Sequence, residues 1–397
     1  MELTGKKILI IVENLPVPFD RRVWQEANTL KSFGAQIIIV CPKNKQYEKP
    51  YEVIDGIHIY RHPLPSEGNG AVGYLIEYSA SIFWQLIYSF KIYIKHGVDI
   101  IQACNPPDLI FISVLPFKLI GKKFIFDHHD INPELYLAKF NKKDLFYRLL
   151  CLLEKITFKV ADISIATNES YKEIAIKRGG MKREKVHVVR SGPKLERIQY
   201  LPPKNELKKG KEFLIAYVGV IGQQEGIDHL LEAISILVNK YKINNFYCII
   251  CGGGTYLEFL KEYSVKLNLQ EYVRFTGRIL DNELFEILNT ADICVNPDVW
   301  NEMNDKSTMN KIMEYMALAK PIVQYDLKEG RFSAQSASLY AKPNDRDDFA
   351  RKIIELFDNA DLRKEMGEFG KNRVENVLQW KYEEPKLKKA YIAAYEN

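Results

Sequence analysis

The stretch FLIAYVGVIGQQEGIDHLLEAI, Phe213 to Ile234, decides the fold. An apolar run of strand length ends at Gly219, Gly222 and Gly226 follow, and leucines and isoleucines then recur with a helical period. Strand, glycine turn and amphipathic helix in that order form one unit of a parallel sheet with helical crossovers. The glycines let the backbone turn tightly, and the helix N-terminus offers free N–H groups to an anion. The spacing is not GxGxxG, so a turn that needs positive φ accounts for them equally well.

The same alternation continues on both sides. Before this stretch, KILIIV, AQIIIVC, GIHIYRH, DIIQAC, KKFIFD, DISIAT and VHVV read as strands; after it, YCIICGG, YVRFTG, DICVNP, PIVQY and ASLYA do. Helical patterns lie between, which predicts two doubly wound α/β halves with right-handed crossovers. The Pro- and Lys-rich sequence around residue 200 reads as a linker. The expected division is 1–195, a linker 196–210, and 211–375, with an aromatic helix 376–397 (Trp380, Tyr382, Tyr391, Tyr395) folding back onto the first half.

Composition excludes several classes. At 397 residues the chain exceeds one ordinary core, and 27% charged residues suit a water-exposed surface. A net charge of +5 is a mild bias towards anions or an anionic membrane surface, and no nucleic-acid footprint. The six cysteines are scattered in apolar runs, which reads as reduced thiols of a cytoplasmic protein. Cys248 and Cys251 stand at i and i+3 of a strand, on opposite faces, and so are poorly placed to share a metal. The start, MELTGKKILIIVEN, has too short an apolar run for a signal peptide, and no segment reaches the roughly 18 apolar residues of a membrane span. YSASIFWQLIYSF, Tyr78 to Phe90, reads either as a core-facing helix or as one resting on a membrane surface.

Two polar stretches follow strands, where open sheets bind ligands. FIFDHHDINPEL, Phe124 to Leu135, offers a metal site, an acid/base pair or the polar end of a buried strand; alternation sends His128 and His129 to opposite sides, against joint metal ligation. NDKSTMNKIMEYMALAKPIV, Asn304 to Val323, opens on cap residues and becomes a helix from Met309 to Leu318. Lys306 and Lys311 bring positive charge to its start, and Glu314 could take two hydrogen bonds from a vicinal diol or pair with Lys311. Glu329, Gly330 and Arg331 follow PIVQY and read as a cleft loop or a surface turn; the NDRDD run, 344–348, caps a helix.

In order and spacing, YVG…EG, FTGR, ADICVNP and KIMEYMALAKPIV resemble the nucleotide-sugar domain of the GT-B retaining glycosyltransferases of family 4, and FDHHDINPEL resembles that family's strand ending in a catalytic His-Asp pair. The resemblance implies two Rossmann-like domains facing across a cleft, the first for the acceptor and the second for the nucleotide-sugar. It implies His129 and Asp130 as the active pair and Glu314 as the ribose ligand. It also implies donor contacts from Gly219, Gly222, Gly277, Arg278, Ser307, Thr308 and Lys311, with the base read near Gly277 and Arg278. Lys306 stands where the family's first glutamate belongs, and Val220 and Glu225 stand where it has diphosphate-binding Arg and Lys. A clamp relocated to Lys306 and Lys311 is the expectation, with Lys306 catalytic through charge stabilisation of the leaving group. The loop ENLPVPFDRR lacks the family's glycines and supplies Asn14, Asp20, Arg21 and Arg22 on the acceptor side. The implied reaction moves a sugar, with retention and without a metal or other cofactor, from a UDP-sugar by preference to a polysaccharide or lipid-linked oligosaccharide. Its place would be cytoplasmic, peripheral at the membrane. An epimerase of the same fold or a non-catalytic nucleotide-sugar binder are the alternatives; the first should carry a carboxylate cluster beyond Asp127, Asp130 and Glu134.

Overall fold

The computed structural model describes residues 3–63 and 70–396, without the side chains of 70–77, so the aromatic segment Tyr74 to Tyr93 is described at side-chain level only from Tyr78. The chain forms two compact units, Met1–Ser191 with Glu383–Asn397, and Gly192–Tyr382.

The first unit holds an eight-stranded sheet: β1 (Lys7–Ile11), β2 (Gln36–Pro42), β3 (Tyr51–Ile54), β4 (Ile57–His62), β5 (Ile100–Cys104), β6 (Lys123–His128), β7 (Ile163–Ala166) and β8 (Val186–Val188). Their order is β3-β4-β2-β1-β5-β6-β7-β8, parallel throughout except for β3 against β4. Continuous β-branched runs suit this geometry because helices cover both faces; Ile8 to Ile11, Ile100 and Ile101 have no exposed surface. The antiparallel β3 departs from the expected all-parallel sheet. It turns back through Asp55 and Gly56, both at positive φ, a two-residue hairpin turn.

The second unit carries β9 (Phe213–Val218), β10 (Phe246–Cys251), β11 (Val273–Gly277), β12 (Ile293–Asn296), β13 (Ile322–Tyr325) and β14 (Ser338–Ala341). They run parallel in the order β11-β10-β9-β12-β13-β14. The strand order reverses between β9 and β12, as it does between β1 and β5, and such switch points open crevices beyond the carboxyl ends of the strands.

Both outer boundaries differ from the sequence-based expectation. Segment 196–210 belongs to the second unit, because Ile198, Leu201 and Leu207 join that unit's apolar core. The change of unit near the C-terminus falls between Tyr382 and Glu383, later than 376, because Val374 and Leu378 are buried in the second core and Trp380 N–H donates to Pro193 O at 3.1 Å. The final helix, Glu384–Glu396, packs against β6 to β8 and the helix Arg21–Ser32, with Leu387 and Tyr391 fully buried.

Candidate functional site

In the second unit the loop after β9 and the chain after β12 meet at the switch point. Gly226 adopts φ 63, and a Cβ there would stand 2.1 Å from Pro297 O, so only glycine lets these backbones touch. Gly222 N–H donates to Glu225 Oε2 at 3.0 Å, and Asn304 Nδ2 donates to Gln224 O and Val299 O, both at 2.8 Å. The helix that follows, Asn310–Ala317, is fixed by Tyr315, whose hydroxyl accepts from Val218 N–H at 2.8 Å and donates to Val295 O at 3.3 Å.

That anchorage aims Lys311 at the glycine loop. Its ammonium lies 3.0 and 3.2 Å from the two carboxylate oxygens of Asp298 and 3.2 Å from Tyr217 Oη, 4.6 Å from the Tyr217 ring centre. A side chain at Gly219 would meet the lysine stem at 3.5 Å. Burial disfavours charge on Lys311, but Asp298 outweighs it and holds the lysine above its ordinary pKa. Burial also raises Asp298, against the charge of Lys311; two close oxygens on one ammonium are the geometry of an ionised pair, and the pair is charged. Its lysine remains 11% exposed while Asp298 is 1% exposed, so the cation is the accessible half. Glu314, half-buried, lies three residues on along the same helix face.

Lys306 is placed elsewhere than expected. The polar run before the helix does not cap it: Asn301 caps a separate short helix, Glu302–Lys306, by accepting from Asn304 N–H at 2.9 Å. Lys306 ends that helix and pairs with exposed Glu302 at 3.0 Å. Ser307 Oγ donates to Met303 O at 2.7 Å, Thr308 follows it, and Met309 stands at the cap position. Arg278 lies against Gly253, whose Cβ would meet its Cγ at 3.1 Å, and Gly277, at φ 70, accepts from Gly252 N–H at 3.0 Å. Glu329 and Gly330 are buried in the helix Lys328–Ala334, neither a loop nor a turn, and Arg331 makes a surface ion pair with Asp326 at 2.7 Å.

In the first unit, β6 delivers Asp127, His128 and His129 with alternating directions. His128 is enclosed by Phe126, Phe158 and Tyr171 beside Glu154. His129 turns the other way: Nε2 lies 2.7 Å from Asp127 Oδ2 and 3.0 Å from Arg22 Nε. One nitrogen cannot both donate to Asp127 and accept from Arg22. Burial opposes charge on His129, but Asp127 outweighs it and raises its pKa well above the ordinary value, so Nε2–H donates to Asp127. Nε2 is thereby committed to the carboxylate. Asn105 Oδ1 accepts from the backbone N–H of His129 at 2.7 Å and of Asp130 at 3.2 Å, fixing the turn.

Behind His129 lies a network that sequence reasoning missed. Arg22 bridges Asp127 at 3.1 Å and Glu26 at 3.0 Å, and donates to Val189 O and Ser191 Oγ. Gln102 donates to Glu26 at 2.7 Å and Asp127 at 2.8 Å, and its carbonyl accepts from Tyr391 of the last helix. Burial raises Glu26 to about 8, against the charge of Arg22, so at neutral pH it is largely protonated beside the ionised Asp127. Arg22 and Glu26 are spaced i,i+4, the one signal in the sequence; Gln102 and Tyr391 gave none. The remaining loop residues play other parts: Asp20 caps the helix Arg21–Ser32 by accepting from Val23 N–H at 3.0 Å, and Asn14 and Arg21 are exposed. Asp130 is half-buried, and burial raises its pKa.

Among the described residues, Cys104, Asp127 and His129 form the one trio whose ligand atoms lie within 4.8 Å of one another. Arg22 already brings positive charge to two of them, and burial pushes the Cys104 thiol up to about 12. A protonated thiol beside a guanidinium does not suit a divalent cation.

Comparison with known proteins bears on the family and the fold. Residues 202–373 match the model of the glycosyl transferases group 1, and residues 20–197 match that of Glycosyltransferase Family 4. An uncharacterised glycosyltransferase of Methanocaldococcus jannaschii is 23% identical over 88% of this chain and 87% of its own. The chitobiosyldiphosphodolichol beta-mannosyltransferase of Candida albicans is 22% identical over 80% of this chain and 74% of its own. In fold, the chain is similar to a sucrose-phosphate synthase from Thermosynechococcus elongatus, with a TM-score of 0.78 at 16% identity over 98% of this chain and 99% of that one. It is also similar to Anabaena HepE in complex with UDP, with a TM-score of 0.73 at 12% identity over 98% and 100%. Two Rossmann-like units, both family models and these neighbours place the chain among the GT-B glycosyltransferases of the family 4 type.

Proposed function

We propose that this transferase moves a sugar, with retention of configuration, from a nucleoside diphosphate, UDP by preference, to a lipid-linked or polysaccharide acceptor. The observation that carries the reading is Lys311, a buried but reachable cation held against the Gly219–Gly226 loop by Asp298 and Tyr217. As the bond from the sugar C1 to the phosphate oxygen breaks, its electron pair passes to that oxygen, and Lys311 stabilises the growing charge. Glu314 accepts hydrogen bonds from the ribose hydroxyls. The acceptor oxygen forms its bond to C1 on the face the phosphate leaves, and its proton passes to the departing phosphate, so no protein nucleophile is needed. His129, protonated beside Asp127, donates to the sugar through Nδ1–H while Asp127 fixes its orientation.

The UDP preference draws on the HepE complex, and the lipid-linked acceptor on the name of the Candida relative. The buried Cys104–Asp127–His129 trio, already neutralised by Arg22, supports turnover without a metal. A peripheral position at the cytoplasmic membrane face completes the reading; among the described residues no helix is long and apolar enough to cross a membrane. The test is incubation of UDP- and GDP-sugars with lipid-diphosphate-linked acceptors, following UDP or GDP release and the product's anomeric proton by NMR, with and without chelator. An inverted product, or activity that chelator abolishes, refutes the corresponding part.

A further inference from the structure

We propose that three neighbouring helices of the first unit, Gly70–His96, Phe111–Leu119 and Leu145–Val160, form one face that lies on an anionic lipid bilayer. The first packs beside the second and the second beside the third. Their inward sides bury Ile92, Phe117 and Phe158 together with polar side chains that bond to one another, Ser113 Oγ donating to Gln85 Oε1 and Gln85 Nε2 to Ser81 Oγ, both at 2.9 Å. Their outward sides are apolar as well, where amphipathic helices of a globular unit are polar.

On the first helix Phe83, Ile87, Phe90 and Ile94 are exposed at i, i+4, i+7 and i+11, a single stripe. Ile112, Leu115 and Leu119 repeat that spacing on the second, and Leu145, Leu149 and Leu152 on the third. Ile94, Leu119 and Leu145 are 83%, 81% and 82% exposed, so these are outward side chains and not half-covered core. Singly such residues are ordinary; three adjoining stripes mark a contact surface.

Charge decides the occupant. Lys91 and Lys95 border the first stripe, Lys142 and Lys143 precede the third, and Arg148 and Lys155 flank it, all exposed. From residue 78 to 160 Asp144 is the one exposed acidic side chain, and its carboxylate is engaged by Phe146 N–H, Tyr147 N–H and Tyr136 Oη. An apolar band rimmed by cations fits acyl chains below and anionic headgroups around them. A second copy meeting this face through a two-fold axis would bring the cations together. The inference rests on the lipid-linked acceptor for its purpose, but its test needs neither donor nor acceptor.

The full chain is sedimented with vesicles of phosphatidylcholine alone and of phosphatidylcholine with phosphatidylglycerol, at low and high salt. Binding is expected with the anionic vesicles, weakened by salt. Lys142→Glu with Lys143→Glu should lower partitioning by about thirtyfold or more. Leu119→Ser should lower it too, with melting and donor hydrolysis unchanged in both. No binding, or binding indifferent to lipid charge and salt, overturns the proposal. So does a dimer that Leu119→Ser dissociates in the absence of any lipid binding. Transfer to a lipid-linked acceptor presented in detergent, without vesicle binding, removes the surface and leaves the function standing; vesicle binding without transfer supports the surface alone.

Discussion

Lys311→Met keeps most of the lysine stem and removes its charge. At 3.0 Å and an effective dielectric near 20, the attraction to Asp298 is about 5 kcal/mol, offset in large part by desolvation of both groups. What matters on substitution is the group left behind. Asp298, 1% exposed, would stay buried without a counter-charge, and breaking such a pair costs about 3–5 kcal/mol. For a unit of this size that lowers Tm by about 6–20 °C. A fall in activity with this variant alone would therefore be ambiguous. The double variant Lys311→Met/Asp298→Asn removes both charges and should recover most of the lost stability, because no uncompensated ion remains. Its kcat should nonetheless stay down by about 10²–10³-fold, since the charge developing on the leaving phosphate has lost its donor. Differential scanning fluorimetry gives the first quantity and steady-state release of the nucleoside diphosphate the second. A double variant that melts near wild type and turns over within about threefold of it refutes the leaving-group role and leaves Lys311 a structural ion.

Glu314→Ala should weaken UDP binding by about 10–150-fold, from about 1.5–3 kcal/mol for hydrogen bonds to a charged acceptor; calorimetric titration checks this, and an unchanged Kd removes Glu314 from the ribose. His129 has a raised pKa, so its interaction with Asp127 adds stability that is whole below about pH 6.5 and is lost as pH rises through the folded pKa. The Tm difference between wild type and His129→Asn should thus be greatest in mild acid and shrink in alkali; a difference that grows with pH contradicts the charged assignment. Tyr391→Phe leaves the buried Gln102 carbonyl without its donor and should cost about 1–3 kcal/mol in urea unfolding, whereas a neutral result uncouples the last helix from the network. Gly226→Ala combines positive φ with a Cβ 2.1 Å from Pro297 O and should lose at least about 1–3 kcal/mol, read by thermal melting.

The strands of both sheets were legible because a strand buried on two faces has to be continuously apolar, and chance rarely produces several such runs at crossover spacing. The strand that escaped is instructive. YEVI alternates exposed and half-buried positions at a sheet edge, so its pattern is weak; the Asp55–Gly56 turn signal was present, but it announces a hairpin only to a reader who already counts YEVI as a strand. The boundary near residue 200 misled for the opposite reason. Proline and lysine mark exposure of the backbone, yet Ile198, Leu201 and Leu207, spaced among them, bury themselves one at a time, with no periodicity to reveal it.

The site divides along the same line. Residues whose place follows from the strand before them, Gly219 after β9 and His129 after β6, could be placed from the sequence. Those whose place depends on a partner far along the chain could be listed but not ranked. Lys306 and Lys311 are equally basic and five positions apart, and nothing in NDKSTMNK ranks them. The ranking comes from Asp298, thirteen residues before Lys311, and Tyr217, ninety-four before it, which converge because β9 and β12 are neighbours at the switch point. A short helix capped by Asn301 carries Lys306 into its own ion pair and leaves one lysine at the loop. Reading a cation from sequence therefore gives its charge; the strand order gives its address, and only a carboxylate at that address makes the charge stable enough to bury and still reach an anion.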